Sequence, residues 1–213
     1  MSQRYFFMGP LLEKLGQPEF FCRLVAVALR ATAALIVLLS LTIVFKVGKI
    51  TFELTHDRAL GGILFEVFFA LAVYAAVHTI LIRARDVQAV RGLENYSISV
   101  LTLLLRLLGE AYCVFVGLTA VGCGLFVWFT GQNVANVLGP LLRALFPGVS
   151  DESTFISGIE FIASGLLIGL AALVVTYATA QALSLLVRPT RNGAHQAPPT
   201  SDATQAYRSR FGS

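Results

Sequence analysis

The sequence predicts an all-α, polytopic membrane protein: four transmembrane helices in a bundle, with both termini on the cytoplasmic side. Three observations predict it. Of the 213 residues 56% are hydrophobic and only 13% charged, about half the charged share of a soluble domain. The apolar residues fall into four runs, at 24–45, 59–82, 100–130 and 156–187, each long enough to cross a bilayer at about 20 residues per span. Basic residues concentrate on one side of the resulting topology. Arg4, Lys14, Arg23, Arg30, Arg83, Arg85, Arg91, Arg188, Arg191, Arg208 and Arg210 make eleven on that side; Lys46, Lys49, Arg58 and Arg143 make four on the other. Lys and Arg accumulate in cytoplasmic loops, so the side with eleven is read as the cytoplasm.

Residues 1–20 carry Glu13, Lys14, Pro10 and Pro18 in place of a continuous apolar core. They read as an interfacial segment rather than a cleavable signal peptide. The transmembrane domain is expected over 21–188. Pro18 suits a first helical position, and Arg23 and Arg30 share one face from which both reach the headgroups. Lys46–Arg58 reads as a polar outer connection, and Gly61-Gly62 as the opening of the second helix. Arg83, Arg85 and Asp86 close that helix on the inner side. The third run is too long for one perpendicular span, so 97–105 reads as interfacial, tilted or protruding. Trp128 and Phe129 stand where an aromatic belt anchors its outer end. Residues 140–147, bounded by Pro140 and Pro147, read as a short amphipathic surface helix. Glu152 or Ser153 is the expected cap of the fourth helix. Residues 189–213 turn polar and proline-containing, and read as a disordered cytoplasmic tail.

Small residues mark helix contacts in lipid because they permit close backbone approach. Arg106, Glu110, Cys113, Gly117, Ala120 and Gly124 recur at steps of four and three along the third helix, a heptad-like seam. Gly165 and Gly169 form a close-packing pair on the fourth. Gly62, Glu66, Ala70, Tyr74 and His78 form one ridge of the second. The ionisable residues within the spans need partners. Depth estimates place His78, Arg106, Glu110, Tyr177 and Gln181 in one polar cluster near the inner face, with Arg106 and Glu110 pairing four residues apart. A second, outer cluster is expected from Glu66, Glu160, Lys46 and Lys49. It reads either as an ion pair of Glu66 with a lysine or as a cation site shared by the two glutamates.

Several chemistries are unsupported. Cys22, Cys113 and Cys123 give neither a disulfide framework nor metal spacing. His56 and His78 lie too far apart along a helix to ligate one haem iron, and no His-x-x-x-His pair occurs. Gly122-Cys-Gly124 lies inside a span, so it is no nucleotide-binding loop. The basic residues are too dispersed for a nucleic-acid surface. No cofactor, metal or catalytic group is therefore expected. The leading reading is a non-enzymatic multi-pass membrane protein of structural or complex-subunit type, acting through helix packing. Its expected partners are the lipid bilayer and either itself or other membrane subunits, with no nucleic acid. The alternative is a proton or cation channel or transporter using Glu66, His78, Arg106 and Glu110. Size and an alanine- and leucine-rich composition suggest a bacterial inner membrane.

Overall fold

A computed structural model of the chain describes residues 17–53, 56–90, 96–132, 145–146 and 154–187. It is all-helical, with four long helices: α1 (Pro18–Glu53), α2 (His56–Ala89), α3 (Tyr96–Thr130) and α4 (Phe155–Val187). All four are long and apolar enough to cross a membrane. Residues 1–16 of the expected N-terminal segment, the expected caps Glu152 and Ser153 and the expected C-terminal tail lie outside the described residues, as does most of the expected 140–147 surface helix; residues 18–20 belong to α1.

Each helix overruns its apolar run. At 36, 34, 35 and 33 residues, each is roughly 50 Å long at 1.5 Å per residue, against a hydrocarbon core of about 30 Å. The segment read as a polar connection, Lys46–Arg58, is mostly helix: only 54–55 separate α1 from α2. Packing accounts for this. Gly62 does not open α2 but is buried within it, so close to Thr51 of α1 that a Cβ would collide with the threonine side chain. Gly61 likewise faces Phe129 and Thr130 of α3, where a Cβ would stand 2.9 and 2.7 Å from their side chains. Helix α3 runs unbroken through 97–105. At the start of α4, the cap is Thr154. Its Oγ1 accepts from Ser157 N–H at 3.2 Å, and its own N–H donates to Ser157 Oγ at 3.0 Å. This reciprocal arrangement satisfies donors that a helix N-terminus otherwise leaves open.

The helices pack in sequence order. Helix α3 packs extensively on both α2 and α4, and α1 packs on α2. Contacts of α1 with α3 are slight, and α1 and α4 have no substantial contact among the described residues. Among the described residues the helices thus follow one another as a row, each packed chiefly on its neighbours in sequence. Burial follows from it: α3 is the most enclosed helix, and α1 and α4 are the least. Leu38, Leu39 and Phe45 of α1 and Leu167, Val174 and Val175 of α4 are exposed.

The two faces of α3 use different packing. Toward α2 the contact is aromatic. Phe65 stacks on Phe69 at 5.7 Å and meets Phe126 edge-on at 6.1 Å; Phe69 meets Phe115 edge-on at 6.0 Å. Such geometries satisfy the ring quadrupoles. Toward α4 the contact is made by small residues. Gly109 faces Thr176, Cys113 faces Gly169, Ala120 faces Gly165, and Gly124 lies against the Gly158 carbonyl and Ile162. Trp128 closes this seam by donating its Nε1–H to the Phe155 carbonyl at 2.9 Å and stacking on the Phe155 ring at 5.1 Å. Phe146, from the connection between α3 and α4, is buried edge-on against Phe161 at 5.7 Å.

Threonine hydroxyls within the helices mostly bond their own backbone. Thr51, Thr79, Thr102, Thr130 and Thr179 each donate to the carbonyl four residues earlier. A hydroxyl satisfied in this way needs neither water nor a neighbouring helix.

Candidate functional site

The first candidate is a polar cluster joining α2, α3 and α4. Its centre is Glu110. Arg83 of α2 holds the carboxylate with a two-pronged grip, Nε to Oε2 at 3.1 Å and Nη2 to Oε1 at 2.5 Å. Tyr177 of α4 donates its hydroxyl to the same Oε1 at 2.5 Å. Arg83 also bonds Asp86 at 3.2 Å. A bidentate guanidinium–carboxylate pair is among the stronger and more directional polar contacts available to side chains. One carboxylate therefore ties together the three helices that the apolar seams also join.

The membership differs from the one expected. Glu110 and Tyr177 are brought together. Arg106 is adjacent but does not form an ion pair with Glu110. Its guanidinium carbon lies 5.5 Å from the centroid of the Tyr177 ring, and its Nε is buried without a hydrogen-bond partner. His78 is exposed and stacked on Tyr74 at 5.8 Å, turned away from the carboxylate. Gln181 is also exposed, accepting a bond from Ser184 through its backbone only. The residue missed was Arg83, read from sequence as a helix terminator. Its separation from Glu110 is long in the chain, and only the α2–α3 register shows that the two stand level. The ridge ending at His78 fails because a strict four-residue step drifts around a helix of 3.6 residues per turn. Tyr74 and His78 have rotated out of the interface that buries Gly62.

The outer group is similarly dispersed. Glu66 lies in the α1–α2 contact, its Oε1 buried, without a hydrogen-bond partner, and 3.2 Å from where a Cβ on Gly48 would stand. Lys49 pairs loosely with Glu53, at 4.0 Å and with both side chains largely exposed. No ion pair joins Glu66 to Lys46 or Lys49 among the described residues. Glu160 stands on α4, at the height of Gly124, whereas Glu66 stands on α2 near Phe65 and Phe68, which flank Gly122. The two glutamates are thus close in height but on opposite sides of α3.

The charges lie in two layers. One holds Arg83, Asp86, Arg106 and Glu110; the other holds Lys46, Lys49, Glu66 and Glu160. From Glu66 to Arg83 is about 25 Å along α2 at 1.5 Å per residue. Between the layers no helix carries Asp, Glu, Lys or Arg, and the interior is filled by Phe65, Phe69, Val73, Val116, Ala120 and their neighbours.

Of the packing glycines, Gly165, Gly169 and Gly124 stand in the α3–α4 seam with Ala120. Gly117 is at its margin: a Cβ there would be 3.7 Å from Leu166 Cδ2, an ordinary contact.

No known protein family, curated protein or solved structure matches the chain.

Proposed function

We propose that this is a structural or complex-subunit membrane protein acting through helix packing, without an enzymatic role. One observation carries the reading: the Glu110 carboxylate is engaged by Arg83 and Tyr177, and so fastens α2 and α4 to α3. A relay group must exchange partners as it gains and loses its proton, and Glu110 is instead gripped by Arg83 and Tyr177 at once. The apolar interior between the two charge layers supports the same reading. The exposed apolar faces of α1 and α4 suit lipid or a neighbouring subunit. The basic-residue bias supports a cytoplasmic side for both termini. Reporter fusions after Arg91 and after Asp151 are expected to report opposite sides of the membrane; the same side for both would overturn the four-span topology.

Proton or cation passage remains a second reading because of one atom, the unpartnered buried Oε1 of Glu66. Reconstitution in liposomes tests both. The purified chain is expected to pass no protons or potassium above the rate of empty vesicles. A flux in the wild type that disappears in Glu66→Gln would sink the packing reading and establish transport.

A further inference from the structure

Arg106 is the one guanidinium of the polar cluster without an acceptor. Its nearest acidic neighbour in sequence, Glu110, is held by Arg83 and Tyr177. Arg106 itself makes no hydrogen bond or ion pair among the described residues, and its Nε is buried and unsatisfied. The Tyr177 ring supports it from one side at 5.5 Å, which stabilises the cation but satisfies none of its N–H groups. The buried Nε is closed to an incoming acceptor, so the guanidinium offers such a group only its remaining N–H donors.

The space beside Arg106 has the chemistry of such an acceptor's site. A cleft of about 460 Å³ opens there between the end of α2, the first turns of α3 and the last turns of α4. Arg106, Ser99, Thr102 and Ser184 supply its polar lining, and Val90 and Leu103 are among its apolar walls. The hydroxyls of Thr102 and Ser184 already donate to the carbonyls of Ile98 and Gln181, at 2.9 and 2.7 Å. Among the described residues Ser99 makes no such side-chain bond, so its proton is available.

We propose that this cleft binds a phosphate group, with Arg106 as its charged ligand and Ser99 as a second donor. The planar fork of a guanidinium matches the spacing of phosphate oxygens. The group can come from an anionic phospholipid or from free phosphate. The apolar walls favour the lipid, whose glycerol and first methylenes would lie against Val90 and Leu103. Basic pockets between membrane helices commonly take anionic headgroups.

The test uses the purified full chain in maltoside micelles with three additions: dioleoylphosphatidylglycerol, dioleoylglycerol (the same chains without phosphate), and sodium phosphate at constant ionic strength. The readouts are the shift in thermal unfolding midpoint and the mass retained in native mass spectrometry. Phosphatidylglycerol is expected to raise the midpoint and remain bound as one copy, and dioleoylglycerol to do neither. Arg106→Gln should weaken the apparent affinity about tenfold, the loss of one charge-assisted contact. Arg85→Gln, at an exposed arginine that does not line the cleft, should not. Ser99→Leu occupies part of the cleft while keeping Arg106, and carries the test should Arg106→Gln not fold. A midpoint shift with sodium phosphate, lost in the variants, would support the phosphate site and assign it to the free anion. Equal responses of wild type and both variants to phosphatidylglycerol, or equal stabilisation by dioleoylglycerol, would overturn the proposal.

Discussion

Gly165→Leu is expected to be among the most damaging single substitutions in the chain, lowering stability by about 3 kcal/mol or more. The reason is what surrounds the missing side chain. A Cβ at Gly165 would collide with Ala120 Cβ and lie 3.0 Å from Phe146 Cε1 and 3.3 Å from the Val116 carbonyl oxygen. Two of those three atoms belong to the α3 backbone or to a side chain with no rotamer, so neither can swing aside. The helices must separate, and separation breaks the whole seam from Gly109 to Trp128. Gly124→Leu should behave alike, since the Gly158 carbonyl and Ile162 stand 2.7 Å from its Cβ position. Gly117 lies on the same sequence seam but has room. Gly117→Ala is expected to be neutral or slightly stabilising, because alanine is about 1 kcal/mol better than glycine within a helix. Thermal unfolding in detergent separates these cases. Comparable losses for Gly165→Leu and Gly117→Ala would show that the seam is not packed as described.

The second large effect concerns Arg83 and Glu110. Glu110→Leu should lower stability by about 2 kcal/mol or more. It strands the Arg83 guanidinium and removes the acceptor of Tyr177, and breaking half of a buried pair costs up to about 3–5 kcal/mol. The lower figure is appropriate because the two side chains keep 24% and 21% of their exposure. Arg83→Leu should have an effect of the same order. The double substitution Arg83→Leu with Glu110→Leu should recover much of the loss, since no orphan charge remains; Asp86, 42% exposed, loses only a weak partner. The combination of Arg106→Leu with Glu110→Leu should show no comparable rescue. The measurement is a double-mutant cycle for each pair from thermal stability in detergent. A larger coupling for Arg106 than for Arg83 would refute the assignment of the ion pair.

The sequence was informative where physics acts locally and mute where register decides. The four helices follow from composition and run length alone, because a continuous apolar stretch has few other stable forms. Their ends were harder to place. Lys46, Lys49 and Arg58 read as a loop since charge ends an apolar run, yet the backbone continues because Gly48 and Thr51 pack on α2. The α3–α4 seam was legible at Ala120, Gly124, Gly165 and Gly169, whose heptad spacing keeps them on one face. Gly117 shares the spacing but not the contact, since a seam has margins that spacing alone does not show. The polar cluster was half legible. Glu110 and Tyr177 are at matching depth and do meet. Arg83 was overlooked because a four-residue spacing made Arg106 the obvious partner, and a nearby residue on one helix competes poorly with a better-aimed one on the next. His78 and Gln181 point outward for the complementary reason: equal depth says nothing about rotation about the helix axis.

The two charge layers carry a consequence for the solvent rather than for the protein. They leave an uncharged band about 25 Å tall, while the helices themselves extend well beyond it. In a bilayer, that band sets a preferred hydrocarbon thickness somewhat below the common 30 Å. Lipid chains longer than the band would press methylenes against the exposed Arg30 and Lys46 of α1, and the membrane would have to thin, or the row of helices tilt, at a fraction of a kcal/mol per Å. The chain would then be sensitive to the length of the lipids around it and would partition toward the thinner of two coexisting membranes.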